Sequence, residues 1–187
     1  MTIPNILTLA RIVMVPCFLF ASIREMYTVA FIIFVTAAVT DIFDGMIARR
    51  LNQRSKLGAL LDPAADKMLL ICGYLFYTIH RPMPVVRIPG WLTYVVFIRD
   101  FLIVSFAYLM YTRVNVKRFP PSWAGKTSTV LQAITLGTMI AVNAFLPQLL
   151  WFSEIMFRVA LLMTLFSAWD YLRRGERLLA ENLRARG

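Results

Sequence analysis

The sequence predicts an all-α integral membrane protein of six transmembrane helices, and three observations carry that prediction. Of its 187 residues 59% are hydrophobic and 16% charged, against about 45–50% and about a quarter in soluble domains. The apolar residues, with a mean hydropathy of +0.68 over the chain, gather into six runs close to the roughly 20 residues that cross a bilayer. The basic residues cluster at alternate breaks between those runs. Such a composition excludes an ordinary soluble domain and a disordered chain, and two cysteines exclude a disulfide scaffold. Cys17 and Cys72 lie in apolar runs and are read as small buried hydrophobes.

The spans are expected near 6–22, 28–46, 58–79, 90–112, 127–146 and 149–171, within one membrane domain covering 1–187. The first is read as a span and not a cleaved leader, because no Lys or Arg precedes it and Arg11 lies inside it. The second and third are separated by the basic stretch from Arg49 to Lys56. The third and fourth are parted by His80 to Pro89, with prolines at 82, 84 and 89 acting as breakers. Arg113 to Lys126, with Pro120 and Pro121, divides the fourth from the fifth. Only Pro147 and Gln148 stand between the last two, so these are expected to form a tight hairpin.

Orientation follows from the cations. Arg49, Arg50, Arg54 and Lys56 share a side with Arg113, Lys117, Arg118 and Lys126, and with Arg173, Arg174, Arg177, Arg184 and Arg186. The opposite side has Arg24, Arg81 and Arg87. Loops two and four and both termini are therefore placed in the cytoplasm. The net charge of +10 is assigned to this topology and to anionic lipid or substrate, with no nucleic-acid partner, since the cations are interleaved with apolar spans. The tail from Trp169 to Arg186 reads as a positive helix end lying on anionic headgroups.

Four of the ten acidic residues fall between positions 41 and 66. Asp41 and Asp44 are three apart at the end of span two, and Asp62 and Asp66 are four apart near the start of span three. Each pair shares one helical face. Two antiparallel helices would then present four carboxylates at the cytoplasmic rim, a set too costly to leave unneutralised. Arg49 and Lys67 could pair with two of them, but Mg²⁺ or Mn²⁺, one ion or two, neutralises the set better. All the donors are hard oxygens, and the only histidine, His80, is placed on the far side. Gly45, Ala48 and Gly58 serve either close helix packing or the approach of a phosphate-bearing ligand to the backbone. Arg49 could hold a diphosphate bidentately.

The stretch Asp41-Ile-Phe-Asp44-Gly45-Met-Ile-Ala48-Arg49, followed by Gly58, Asp62 and Asp66, resembles the CDP-alcohol phosphotransferase signature throughout. The opening Ile-Pro-Asn5-Ile-Leu-Thr8-Leu-Ala-Arg11 and the segment Leu61-Asp62-Pro63-Ala-Ala-Asp66-Lys67 resemble the phosphatidylglycerophosphate synthase and CMP-forming cardiolipin synthase branches. The resemblance implies a cytoplasmic-side active site, CDP-diacylglycerol as donor, CMP as leaving group, and a homodimer. It also implies metal ligation by Asp41, Asp44 and Asp62, with Asp66 as shared ligand and candidate general base, and CDP binding through Gly45, Ala48 and Arg49.

Asn5, Thr8 and Arg11 recur every third residue and form a polar face that must point inward, towards structural partners or the donor. Lys126, Thr129 and Gln132 make a similar stripe on span five. With Arg99 and Lys67 they are candidates for an acceptor-phosphate pocket, although Arg99 could instead pair with Asp100. Glycerol-3-phosphate is the expected acceptor. The alternative is phosphatidylglycerol, because no second arginine follows the Arg99-Asp100 step as it commonly does in phosphatidylglycerophosphate synthases. An ion-coupled transporter would place its acidic residues near the midplane with a pseudo-repeat, and this chain has neither feature.

Overall fold

A computed structural model of the chain describes residues 3–51, 56–80, 84–114 and 122–184, with side chains for 10–40, 67–80, 84–106, 112 and 122–176. The elements are six α-helices: α1 Ile3–Ile23, α2 Tyr27–Leu51, α3 Lys56–Ile79, α4 Gly90–Val114, α5 Trp123–Ala144 and α6 Leu150–Arg184. A 3-10 turn at Pro147–Leu149 joins the last two. No strand occurs among the described residues.

Helices α1 to α5 have 21 to 25 residues, lengths of about 31–38 Å at 1.5 Å per residue. Four boundaries lie three or more residues from the expected spans: α1 begins at Ile3, α2 continues to Leu51 and so takes in Arg49 and Arg50, and the other two are the start of α5 and the end of α6. Helix α5 starts at Trp123 and not near 127, because Ser122 Oγ accepts the Gly125 N–H at 2.9 Å and caps the helix. Lys126 therefore sits in a helical turn and not in a loop. Helix α6 runs for 35 residues, or about 52 Å, since the alternating leucines, arginines and glutamates beyond Tyr171 continue the helix.

The helices carry large apolar side chains on their exposed faces. Val13 and Phe20 on α1, Ile32 on α2, Ile79 on α3, Tyr94 and Phe101 on α4, Trp123 on α5 and Leu162 on α6 are each more than half exposed. The buried set meanwhile includes Arg11, Ser22, Arg99, Ser128, Gln132, Thr135, Asn143, Thr164 and Ser167. Water would select against that inverted pattern. Cys17 belongs to the exposed face of α1 and Cys72 is half-buried, so the expectation of two buried thiols is corrected for Cys17, which shares its surface with apolar neighbours. Among the described residues one helical stretch, 147–176, meets the length and hydropathy of a spanning segment. Ala10–Ile23, Tyr27–Thr40 and Lys67–Ile79 are shorter apolar helices.

The chain divides into two compact units, 1–88 with 136–153 and 89–135 with 154–187. In the first, α1 packs against both α2 and α3. Phe18 is central there, its ring centroid 6.1 Å from that of Phe34 and 6.2 Å from that of Tyr77, while the Ser22 and Tyr77 hydroxyls hydrogen-bond at 3.0 Å. The α1–α2 turn is a Schellman closure: Met26 N–H donates to Ala21 O and Glu25 N–H to Ser22 O, with Glu25 at φ 58°.

In the second unit the register alternates in direction. Ser128 meets Thr164 and Thr135 meets the Met156 carbonyl, so α5 and α6 are antiparallel. Arg99 meets Ser167 and Phe106 faces Gly175, so α4 and α6 run the same way.

Candidate active site

Helices α2 and α3 position the four aspartates. Asp41 and Asp44 lie in the last three turns of α2, and Asp62 and Asp66 in the first three turns of α3. Both pairs are thus helical, at the i,i+3 and i,i+4 spacings that share a face. Only residues 52–55 separate the two helices in the chain. Gly45, Ala48 and Arg49 occupy α2, Gly58 occupies α3, and Asn5 and Thr8 occupy α1, the helix that packs on both of the others. The side chains of all ten residues lie outside the described residues.

The donor set itself is the test of fit for a metal. Four carboxylates, with no thiol or imidazole among them, suit a hard divalent cation. His80 stands at the other end of α3, stacked on Phe76 with ring centroids 4.6 Å apart, so it is remote from the aspartates along that helix. Among the described residues no other group of three His, Cys, Asp or Glu side chains could hold a metal.

Two cations lie on the helices of the first unit, Arg11 on α1 and Lys67 on α3. Arg11 is 2% exposed in the interior of α1 and is engaged, as is half-buried Lys67, directly after Asp66. A buried, engaged arginine in an apolar helix fits the inward polar face expected for Asn5, Thr8 and Arg11.

The second unit holds the other candidate cations. Arg99 is 4% exposed. Its Nη1 donates to Asp100 Oδ1 at 2.7 Å, the ion pair that the sequence left open as an alternative. Its Nε donates to Ser167 Oγ at 3.2 Å, Nη2 donates to the same oxygen, and Nη2 also donates to the Gly125 carbonyl at 3.3 Å. The stripe on α5 divides by burial. Lys126 is exposed, Thr129 is half-buried and donates to Gly125 O at 3.2 Å. Gln132 is 1% exposed and donates from Nε2 to Ser128 Oγ and Thr164 Oγ1 at 3.2 and 3.4 Å. Gln132 thus joins α5 to α6, and Lys126 is the member of the stripe that faces outward.

Three residues of this network escape sequence reading. Ser167 is one of two hydroxyls, with Thr164, in an apolar run, Ser122 stands beside two prolines, and Gly125 is one of eight glycines. The retrievable signal is the Ser122-x-x-Gly125 spacing of an N-cap. The partnership of Ser167 with Arg99, 68 residues away, has no local trace.

Residues 1–169 match the CDP-alcohol phosphatidyltransferase family profile. The chain belongs to this family. Members are membrane-bound enzymes that use a CDP-linked donor and an alcohol acceptor and typically depend on metal. The chain is 34% identical over 179 residues to a probable phosphatidylglycerophosphate synthase of Mycobacterium tuberculosis, covering 92% of this chain and 81% of that one. It is 34% identical over 180 residues to the CDP-diacylglycerol--glycerol-3-phosphate 3-phosphatidyltransferase of Blochmanniella floridana, covering 91% and 88%. It is also 33% identical over 192 residues to the CMP-forming cardiolipin synthase of Homo sapiens, covering 94% of this chain and 62% of that protein.

Proposed function

We propose that this CDP-alcohol phosphatidyltransferase transfers the phosphatidyl group of CDP-diacylglycerol to glycerol-3-phosphate, giving phosphatidylglycerophosphate and CMP in anionic phospholipid synthesis. The observation that carries the reading is the helical placement of Asp41, Asp44, Asp62 and Asp66 beside Gly45, Ala48 and Arg49 on the consecutive helices α2 and α3. The activities for which the bacterial relatives are named support glycerol-3-phosphate as acceptor.

The acceptor hydroxyl oxygen attacks the lipid-bearing phosphorus, the bond from that phosphorus to the bridging oxygen breaks, and CMP departs with the bridging oxygen. Asp66 takes the hydroxyl proton. Asp41, Asp44, Asp62 and Asp66 would hold one or two Mg²⁺ or Mn²⁺ ions, which would neutralise the diphosphate and the leaving group. Arg49 offers its planar fork to the diphosphate, and Gly45, Ala48 and Gly58 leave room for it near the backbone, with Asn5 and Thr8 on the donor side. Lys126 and Lys67 serve the acceptor phosphate, and Arg99, the third cation that the sequence offers for it, is engaged with Asp100, Ser167 and the Gly125 carbonyl.

The whole chain acts as one six-span membrane domain and as a homodimer, with termini and active site on the cytoplasmic side. The exposed apolar faces and the buried polar set support the membrane reading, and the alternating directions of α4, α5 and α6 are those that successive spans require.

Phosphatidylglycerol is the second candidate acceptor, favoured by the absence of another arginine one or two turns after Arg99 and by the likeness to the cardiolipin synthase. The deciding experiment measures CMP release by the purified chain in detergent, with CDP-diacylglycerol, Mg²⁺ or Mn²⁺, and each acceptor separately. Turnover with glycerol-3-phosphate alone is expected. Turnover with phosphatidylglycerol alone overturns the acceptor assignment, and metal-dependent release with neither overturns the donor–acceptor pair.

A further inference from the structure

Arg99 is an unusual candidate for direct phosphate recognition, because its guanidinium is already engaged on three sides. Asp100 takes Nη1, Ser167 Oγ takes Nε and Nη2, and the Gly125 carbonyl takes Nη2 again. At 4% exposure the group is packed as a cross-link between α4, α5 and α6.

The point at which it grips α5 gives the cross-link a purpose. Gly125 is the third residue of that helix. Its N–H donates to Ser122 Oγ at 2.9 Å and its carbonyl receives Arg99. The next residue is Lys126, whose N–H donates to Ser122 O at 3.2 Å and which is exposed. The turn is closed on every side. A Cβ at Gly125 would stand 3.2 Å from Arg99 Nη2, from Ser122 Oγ and from Tyr171 Cε2, a tight fit that would make the guanidinium, the cap or the α6 ring give way by a few tenths of an ångström. The first turn of a helix ordinarily frays, since its N–H groups lack partners inside the helix. Here a buried cation, itself fixed from α6, pins it.

We propose that Arg99, held by Ser167, is a positioning residue that locks the first turn of α5 and so sets the place of Lys126, the cation that meets the acceptor phosphate. This deepens the acceptor assignment above and rests on it for its kinetic readout. Ser167 thereby affects acceptor recognition without touching acceptor, donor or metal.

The test is a double-mutant cycle in the purified full chain, reading the KM for whichever acceptor supports CMP release, at saturating CDP-diacylglycerol. Lys126→Gln is expected to raise the acceptor KM about tenfold and Ser167→Ala about fivefold, each the size of one ordinary net hydrogen bond. The KM for CDP-diacylglycerol is expected to stay unchanged in both. Ser167→Thr, which keeps the hydroxyl, restores most of the loss. The Ser167→Ala/Lys126→Gln pair is expected to be no worse than Lys126→Gln alone, because the first acts through the second. Multiplying effects overturn the inference and give Arg99 an independent role. A lowered melting temperature with an unchanged acceptor KM overturns it too, leaving Ser167 merely structural.

Backbone hydrogen exchange supplies a readout independent of turnover. Ser167→Ala is expected to speed exchange at 123–126 about tenfold while leaving 136–144 unchanged, and protection retained at 123–126 overturns the inference. If Lys126→Gln leaves the acceptor KM alone while exchange responds as expected, the lock on the turn stands. The acceptor assignment of Lys126, with the route through it, then falls.

Discussion

The Asn143 side chain pairs with the backbone of Val86 as one strand edge pairs with another. Its Nδ2 donates to Val86 O at 2.7 Å and its Oδ1 accepts the Val86 N–H at 3.2 Å. The same amide accepts the Val85 N–H at 3.0 Å and donates to Met139 O at 2.9 Å. One side chain near the end of α5 therefore satisfies backbone groups of the segment that follows α3, which carries no regular structure of its own at 86–89.

Asn143→Ala leaves the Val85 N–H and the Val86 N–H and carbonyl without that partner, at a site where Asn143 is 8% exposed. The expected cost is about 2–4 kcal/mol, from about 1–3 kcal/mol for each buried group left unsatisfied, read as a fall in the detergent melting temperature. The clamp faces the Tyr77 end of α3, where Ile88 N–H donates to Tyr77 O. That end is about 16 Å along the helix from Asp66. CMP release per folded molecule is therefore expected to be unchanged.

Glu25 gives the opposite sign. It occupies the left-handed region at φ 58°, where a side chain costs roughly 1–2 kcal/mol that glycine does not pay. Glu25→Gly keeps the Schellman hydrogen bonds, which are backbone only, and is expected to stabilise the chain by about 1 kcal/mol. The check is thermal unfolding in the same detergent, and a lowered midpoint would show that the Glu25 side chain contributes more than its backbone strain removes.

What could be read in the sequence divides along a physical line. All six helices emerge where they are expected, and their limits agree to within about five residues except at the C-terminal end of α6, because a run of apolar residues broken by prolines and cations encodes a helix locally. The aspartate spacing was legible for the same reason, since i,i+3 and i,i+4 pairs need only the helix to hold. Four features are less legible, and only the first leaves a local trace. The α5 start depends on one capping hydroxyl at Ser122, and α6 continues through a charged tail that reads as an end. Arg99 has neighbours 26 and 68 residues away, and no periodicity records a contact made across three helices. The Asn143 clamp belongs with it, as one amide near the end of a span.

Chelation separates a metal site from an ion-pair cluster at the aspartates. If Asp41, Asp44, Asp62 and Asp66 hold Mg²⁺ or Mn²⁺, EDTA abolishes CMP release and either metal restores it. Asp41→Asn or Asp62→Asn is then expected to cost more than about 100-fold, above the 10–100-fold that even indirect metal partners carry. A structural cluster would instead show a lowered melting temperature in the asparagine variants, with turnover indifferent to EDTA.

Gly175 fixes how closely α6 can approach α4. A Cβ there would lie 2.0 Å from Phe106 Cζ and 2.3 Å from Cε1, far inside contact distance, so Gly175→Ala must displace the aromatic ring. Two turns earlier the same two helices are joined by Arg99 and Ser167. The expected cost of Gly175→Ala alone is about 1–3 kcal/mol, the usual range for overpacking. Phe106→Leu removes the far edge of the ring and costs about 1 kcal/mol by itself. Combined, the two substitutions are expected to be less destabilising than the sum of the singles by at least about 1 kcal/mol, a coupling that only residues in contact produce. Additive losses would mean that the ring moves aside without strain and that α4 and α6 are held apart by something other than the missing side chain of Gly175.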